Sequence, residues 1–344
     1  MLHVFFVFSH TTFYMAKSIQ KHENIPETDV LYITARSYSN KYHKFDNLVL
    51  DKEYKALYKL DYNNFFKGWK YIKTVNKKLN KKINQPFILY TPNFRSPITQ
   101  IIATHKLCRQ FNFLEEGTLS YLNANYISPQ SIFTNYIRKI IVGFLNYSRL
   151  YGLGRYYKLS HFQFNFFRKR NNPVFYTQNK KGFNYIKEYT IKIIPFYKDL
   201  KIKDENIDTP ILLFDGWVNQ IKEYHLYEKA LSELISKEDI NFLNLKFHPE
   251  QENKEKEFII KYLMNKDISF RIIDDDIPME QVFNINKELT VIGFVTSLLM
   301  YADMLGHRVI SLKRFYSFAK KFKRTQSSRG RKSNYIKSNK WIEL

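Results

Sequence analysis

Short apolar runs alternate along the chain with longer stretches in which apolar residues recur every three or four positions. In the first half, the short runs predict strands at 3–8, 30–35, 87–91 and 111–115. The periodic stretches between them predict helices, among them 63–79 and 96–108. Strands that alternate with helices in this way are typical of parallel sheets built from βα units.

The second half repeats the pattern. Its predicted strands lie at 211–215, 242–247, 269–274, 289–294 and 308–312. Predicted helices lie near 220–236, 251–265, 279–285 and 297–305. A length of 344 residues is also too great for one compact core. We therefore expect an α/β domain over 1–187 that ends in a basic aromatic linker, a second over 188–312, and a basic tail over 313–344.

The formal charge of +23 is concentrated in two segments. Residues 117–187 contain eleven Lys and Arg and no acid, and residues 313–344 contain eleven Lys and Arg and one acid. Such segments predict an anionic partner, which could be nucleic acid, a lipid headgroup layer or an acidic polymer. The tail interleaves its charges with aromatic residues, which favours an anchor on an anionic membrane surface over a solvated, flexible tail.

Other features narrow the class of protein. Cys108 is the only cysteine, so the chain has no disulfide framework and no cysteine metal site. No run of eighteen apolar residues lacks charges, so no transmembrane helix is predicted. A cytoplasmic location, with peripheral contact to the inner face of the membrane, is the expectation.

Polar residues follow four of the predicted strands, where parallel sheets bind their ligands. These junctions are Glu115-Glu116-Gly117, Asp215-Gly216, His248-Pro249 and Thr296-Ser297. Each has an ordinary structural explanation as turn chemistry or helix capping. If the two sheets face each other, however, the four junctions would line one cleft.

Together the junctions offer the groups that glycosyl transfer from a nucleotide donor requires. A carboxylate can deprotonate a sugar hydroxyl, and repulsion between the adjacent Glu115 and Glu116 raises the pKa of one of them. His248 can bond to or protonate a departing phosphate. The start of the helix at Thr296 and Ser297 can hold the same phosphate through backbone N–H groups and hydroxyls.

The order of these motifs resembles that of bacterial sialyltransferases and polysialyltransferases, which share an acidic-acidic-Gly motif, a His-Pro motif and a Ser/Thr pair. The matching stretches here include "FLEEGTLSY", "KFHPEQ" and "GFVTSLLMYADMLG". The resemblance implies the α/β GT-B fold, in which two Rossmann-like domains face each other across a cleft and the C-terminal one binds most of the donor. The chain departs in carrying Thr-Ser where many relatives have Ser-Ser.

The resemblance also implies roles for individual residues. Either Glu115 or Glu116 is the general base, and His248 is the phosphate-binding general acid. The implied donor-binding residues are Lys246, Pro249, Glu250, Gly293, Thr296 and Ser297. The implied acceptor-side residues are Ser9, His10, Thr11 and Asn93. Asp215 and Gly216 are expected to line the nucleotide only because they occupy the first loop of the donor domain.

We therefore expect an inverting transferase that moves sialic acid from a CMP-activated donor to a capsule or lipooligosaccharide glycan. The resemblance implies no metal and no cofactor, although the run of aspartates at 274–276 leaves a metal-binding alternative open. Kdo, pseudaminic acid and legionaminic acid are alternative sugars. The alternatives of another class are a basic nucleic-acid-binding protein, although no nucleic acid is expected, and an inactive structural subunit of capsule assembly.

Overall fold

The computed structural model describes residues 1–58, 65–93, 97–103, 105–117, 120–121, 172–184, 189–202, 207, 209–214, 224–248, 251–294, 296–316 and 342–343. The chain divides into two compact units, Met1–Tyr197 and Lys198–Leu344. Each unit is built around its own parallel sheet. The α/β fold with two Rossmann-like domains that the sequence predicted is thus confirmed.

The first unit contains a seven-stranded sheet. Its strands are β1 (Leu2–Val7), β2 (Val30–Thr34), β3 (Asn47–Val49), β4 (Phe87–Thr91), β5 (Cys108–Leu114), β6 (Phe175–Thr177) and β7 (Ile191–Ile193). Its helices are α1 (His10–His22), α2 (Asp51–Tyr58), α3 (Phe65–Lys82) and α4 (Pro97–Ala103). The strand order is β3-β2-β1-β4-β5-β6-β7, and every neighbouring pair is parallel.

The apolar run of β1 is continuous because both faces of the strand are covered. Val4 and Phe6 belong to a core cluster that also contains residues of α3 and α4. Phe5 points to the other face, where its ring stacks on Tyr90 of β4 with 4.4 Å between centroids. Parallel strands buried on both faces lack the alternation of polar and apolar residues that marks a half-exposed strand.

The second unit contains a six-stranded sheet. Its strands are β8 (Ile211–Leu213), β9 (Phe242–Lys246), β10 (Ser269–Ile272), β11 (Thr290–Gly293), β12 (Arg308–Ser311) and β13 (Ile342–Glu343). Its helices are α5 (His225–Glu238), α6 (Asn253–Met264), α7 (Met279–Ile285), α8 (Ser297–Met304) and α9 (Lys313–Tyr316). The strand order is β10-β9-β8-β11-β12-β13, again parallel throughout.

The two sheets share one topology. In each, the first strand lies between the second and the fourth in chain order, so the connections reverse direction between β1 and β4 and between β8 and β11. Ligands of doubly wound sheets bind beyond the carboxyl ends of the strands at such a reversal. The residues that follow β1, β4, β8 and β11, and those that follow the adjacent strands β5 and β9, are therefore placed to meet a ligand.

The structure contains four strands that the sequence pattern did not predict: β3, β6, β7 and β13. Each spans only two or three residues, which is too short for a period to be recognised. β6 lies in the segment interpreted as a linker, and β7 follows the predicted boundary at 187/188 yet pairs with β6. β13 lies in the basic tail and pairs with β12. The tail is therefore joined to the second sheet near its end, and its residues 317–341 lie outside the described part of the chain.

No helix in the described part of the chain is long and apolar enough to cross a bilayer.

Candidate functional site

The two adjacent glutamates follow β5, which lies between β4 and β6. Glu115 is fully buried, and its Oε2 accepts hydrogen bonds from Thr177 Oγ1 at 2.7 Å and from the Gln178 backbone N–H at 2.9 Å. Thr177 is the last residue of β6. A buried carboxylate that accepts two hydrogen bonds is satisfied where it lies. Glu115 therefore links the end of β5 to the end of β6 through hydrogen bonds.

The Glu116 side chain bonds to a residue beyond β4, the other neighbour of β5. Asn93 follows β4, and its Nδ2 donates to Glu116 Oε2 at 2.6 Å. Thr91, the last residue of β4, holds the Asn93 main chain through a bond from its Oγ1 to the Asn93 carbonyl at 3.0 Å. Glu116 is only partly buried. The predicted acceptor-side residue Asn93 and one of the two predicted bases are thus brought together at the carboxyl edge of the sheet.

The residue that follows the acidic pair, Gly117, has a backbone conformation that favours glycine. Its φ is +88°, in the left-handed region that residues with a Cβ rarely adopt. The turn that it makes is closed by the Ser120 N–H, which donates to the Gly117 carbonyl at 3.0 Å. Ser120 Oγ in turn accepts from the Glu116 N–H at 3.0 Å. The glycine therefore fixes the backbone from which the Glu116 side chain projects.

A second glycine supports the buried glutamate. A Cβ on Gly182 would lie 2.0 Å from Thr177 Oγ1, the hydroxyl that donates to Glu115. The turn after β6 therefore requires glycine at this position. The apolar and polar pattern of the sequence did not single out Thr177, Gln178 or Gly182. Their signal is "VFYTQNKKG", an apolar run that ends in a polar turn as at the four recognised junctions.

The residues after β1 lie at the same sheet edge because β1 pairs with β4. Ser9 is the N-cap of α1, and its Oγ accepts from the Thr12 N–H at 3.3 Å in a capping box. His10 Nδ1 lies 3.5 Å from the Tyr38 hydroxyl, and the two rings meet edge to face. Thr11 is partly buried. The observed role of Ser9 is thus capping, while His10 and Thr11 begin α1 at the reversal between β1 and β4.

In the second unit, a buried lysine ends β9. Lys246 is 7% exposed, and its Nζ donates to the Asp274 carbonyl. Burial lowers the pKa of Lys246 to about 8, against the opposing attraction of nearby carboxylates, of which that of Asp275 is the largest. A lysine with such a pKa exchanges its charge near neutral pH. Lys246 therefore supplies, at the carboxyl edge of the second sheet, a positive charge that depends on pH.

His248 follows two residues later and its main chain is held in a closed turn. The His248 N–H donates to Gln251 Oε1 at 3.3 Å, and the Gln251 N–H donates back to the His248 carbonyl at 2.9 Å. Beneath this turn the Tyr227 hydroxyl donates to the buried carboxylate of Glu255. Burial raises the pKa of Glu255, and the hydrogen bond from Tyr227 opposes that shift. The histidine therefore projects from a turn with buried polar support.

The start of α8 combines capping with close packing. Thr296 is its N-cap, and its Oγ1 accepts from the Leu298 N–H at 3.3 Å. Ser297 is the first helical residue and is partly buried. A Cβ on Gly293 would lie 3.1 Å from the Leu213 carbonyl. Gly293 thus allows β11 to lie close to β8. The Thr296 side chain caps the backbone of α8.

Four predicted site residues lie outside the described part of the chain: Asp215, Gly216, Pro249 and Glu250. In the aspartate run, Asp274 Oδ1 accepts from the Asp276 N–H at 3.0 Å, so this side chain closes its own turn. Over the described residues, no three His, Cys, Asp or Glu side chains are grouped closely enough to hold a metal ion.

No protein-family model matches this chain. A search of curated proteins found no match either.

Solved structures of similar fold exist. A sialyltransferase from Photobacterium damsela has a TM-score of 0.52 at 11% identity, over 100% of this chain and 81% of its own. A UDP-GlcNAc 2-epimerase from Methanocaldococcus jannaschii, in complex with UDP-GlcNAc and UDP, has a TM-score of 0.52 at 12% identity, over 91% and 84% of the two chains. The S. aureus MnaA–UDP structure has a TM-score of 0.50 at 11% identity, over 91% and 80%. At these identities the likeness shows the fold alone: the chain has the GT-B fold.

Proposed function

We propose that this protein is an inverting glycosyltransferase that moves a nonulosonic acid, in the first instance sialic acid, from a CMP-activated donor to a glycan acceptor. The observation that carries the proposal is the difference in burial and hydrogen bonding between the two adjacent glutamates. The buried carboxylate of Glu115 accepts hydrogen bonds from Thr177 and Gln178. The carboxylate of Glu116 is partly exposed and is oriented by the hydrogen bond from Asn93. A carboxylate oriented by an amide at the carboxyl edge of a Rossmann-like sheet suits a general base.

In the proposed reaction, the acceptor hydroxyl attacks the anomeric carbon of the donor sugar from the face opposite the phosphate. A new carbon–oxygen bond forms as the bond to the CMP phosphate breaks, so the anomeric configuration inverts. Glu116 takes the proton of the attacking hydroxyl. His248 bonds to the departing phosphate and supplies a proton as negative charge develops there.

The donor phosphate is held, in this proposal, at the carboxyl edge of the second sheet. Lys246 supplies a cation there below its pKa, and the backbone N–H groups at the start of α8, with the hydroxyl of Ser297, are donors for an anion. The phosphate of CMP carries less charge than a diphosphate, so these groups can serve without a divalent cation. Independence from metal is thus part of the proposal.

The test is a screen of the purified protein against CMP-activated sialic acid, Kdo, pseudaminic acid and legionaminic acid. CMP release is measured with and without capsule or lipooligosaccharide acceptors, and with and without EDTA. We expect one donor to give acceptor-stimulated CMP release that survives EDTA. A strict metal requirement would contradict the mechanism, and no CMP release from any of these donors would contradict the function.

A second candidate is an enzyme that acts on UDP-GlcNAc, with an epimerase as the specific form. It is favoured by the structures of similar fold, two of which are described as a UDP-GlcNAc 2-epimerase with its ligands and as a complex with UDP. Adding UDP-GlcNAc to the screen separates the candidates. Conversion of UDP-GlcNAc to its epimer or to free UDP, with no CMP release, would decide for this alternative.

The membrane role of the basic tail remains an expectation, because residues 317–341 lie outside the described part of the chain. The pairing of β13 with β12 changes how it should be tested. Deleting the tail would also remove a strand of the second sheet. Replacement of the tail lysines by glutamine is therefore the appropriate variant for vesicle binding.

A further inference from the structure

One face of α3 carries four exposed lysines that recur every three or four residues. These are Lys70, Lys73, Lys77 and Lys81, here called the lysine ridge. Residues at this spacing lie above one another on the surface of a helix. The opposite face of α3 is buried, with Val75 and Leu79 fully inaccessible. The ridge is therefore the outward face of an amphipathic helix.

The stability of the helix does not explain the ridge. Like charges four residues apart repel and weaken a helix, and the ridge contains two such pairs, Lys73 with Lys77 and Lys77 with Lys81. The sequence of α3, from Phe65 to Lys82, contains no acidic residue that could relieve this repulsion. An exposed helical face usually mixes both signs of charge. Folding alone therefore does not require a row of four positive charges on this face of the helix.

Acidic residues from neighbouring elements meet the flank of α3. Lys78 Nζ forms a salt bridge with Glu53 of α2 at 2.8 Å, and Lys82 Nζ forms one with Asp46 at 2.9 Å. Both lysines lie at helical positions beside the ridge, on the side that faces α2 and β3. These salt bridges offset the positive charge of the flank that faces α2 and β3.

We propose that the lysine ridge binds the surface of an anionic lipid bilayer. From Lys70 to Lys81 it extends about 16 Å at 1.5 Å per residue, a straight row that a flat headgroup layer can contact along its whole length. Lysine acts as a compact charge on a flexible stem and requires no fixed partner geometry. The ridge contains no arginine and no aromatic side chain, the residues with which nucleic-acid-binding surfaces stack bases. This inference does not rest on the proposed function.

The test uses the full-length chain and vesicles of phosphatidylcholine with or without 30% phosphatidylglycerol, with binding measured by flotation at low and high salt. The ridge variant carries Lys73→Gln, Lys77→Gln and Lys81→Gln, because glutamine has nearly the helix propensity of lysine. We expect its affinity for anionic vesicles to fall by roughly a hundredfold at low salt, since each basic residue near the surface contributes about 1 kcal/mol. Wild-type binding should weaken steeply as salt is raised.

The matched control removes three exposed lysines from helices of the second unit, as Lys229→Gln, Lys254→Gln and Lys261→Gln. It changes the net charge equally and should keep nearly all of the vesicle affinity. An equal loss in both variants would show that net charge alone acts and would overturn the proposal. So would a ridge variant that binds vesicles like the wild type, or ridge-dependent binding of a single-stranded RNA probe without binding to vesicles.

Discussion

The carboxyl edges of the two sheets have the same topology and carry opposite chemistry. At the first edge the polar groups are two carboxylates and an amide, from Glu115, Glu116 and Asn93. At the second edge they are a buried amine, an imidazole and the start of a helix, from Lys246, His248 and α8. The repeated topology supplies equivalent positions, and the residues at the end of each strand and after it give the first edge carboxylates and the second edge an amine and an imidazole.

The edges also differ in how their groups are held. At the first edge both carboxylates accept a hydrogen bond from another side chain, at 2.6 Å from Asn93 to Glu116 and at 2.7 Å from Thr177 to Glu115. At the second edge side chains hold the main chain, as Gln251 holds the His248 N–H and Thr296 holds the Leu298 N–H. We therefore expect substitutions at the first edge to alter the chemical step and those at the second to alter donor affinity and departure of the phosphate.

The largest expected effect separates the two glutamates. Glu116→Gln should lower kcat for transfer by a factor on the order of 10² to 10⁴, because an amide cannot accept the acceptor's proton. Glu115→Gln keeps an oxygen that accepts from Thr177 and Gln178, so its kcat should stay near that of the wild type. Initial rates of CMP release at saturating acceptor measure both. A kcat loss confined to Glu115→Gln, or wild-type turnover in both variants, would contradict the assignment.

His248 should affect donor breakdown with and without an acceptor. His248→Ala should lower transfer and donor hydrolysis alike, each by a factor on the order of 10², because both require departure of the phosphate. Glu116→Gln should spare hydrolysis more than transfer, since water can react without the acceptor base. The measurement is CMP release with and without acceptor for each variant. The same ratio of transfer to hydrolysis in both variants would erase the proposed difference between the two edges.

A smaller effect concerns the pH dependence of donor binding. The pKa of Lys246 is lowered to about 8, so its amine is charged below that pH and loses its proton as pH rises through it. The donor KM should then rise by about tenfold between pH 7 and pH 9.5, since a hydrogen bond to a charged group contributes about 1.5 kcal/mol. Lys246→Arg, which stays charged, should give a flat profile, and Lys246→Met a KM that is high throughout. A flat wild-type profile would exclude Lys246 as the phosphate cation.

The smallest expected effects distinguish capping from binding at the start of α8. Thr296→Ala should lower the free energy of unfolding by about 1 kcal/mol, because the Leu298 N–H loses its acceptor. Ser297→Ala should leave stability unchanged and raise the donor KM, since its hydroxyl is assigned to the phosphate. Urea denaturation and donor titrations measure the two quantities. A donor KM that Ser297→Ala leaves unchanged would return both hydroxyls to a structural role.

Much of the fold was predictable because its information is local. Strands such as β1 and β4 are largely apolar runs of six and five residues, long enough to indicate that they are buried on both faces. The four unpredicted strands have two or three residues, and only hydrogen bonds to a neighbouring strand define them. A segment as short as β6 becomes a strand because β5 and β7 lie beside it.

The candidate site divides in the same way. The sequence alone determined that carboxylates, a glycine, a histidine and a Thr-Ser pair follow strands, since these are properties of neighbouring residues. Only the tertiary structure distinguishes the buried Glu115 from the partly exposed Glu116, because their partners Thr177 and Asn93 lie 62 and 23 residues away along the chain. Only burial by surrounding elements lowers the pKa of Lys246. Hydrogen-bond partners and desolvation come from residues that are distant in sequence and adjacent in space, and no local pattern contains them.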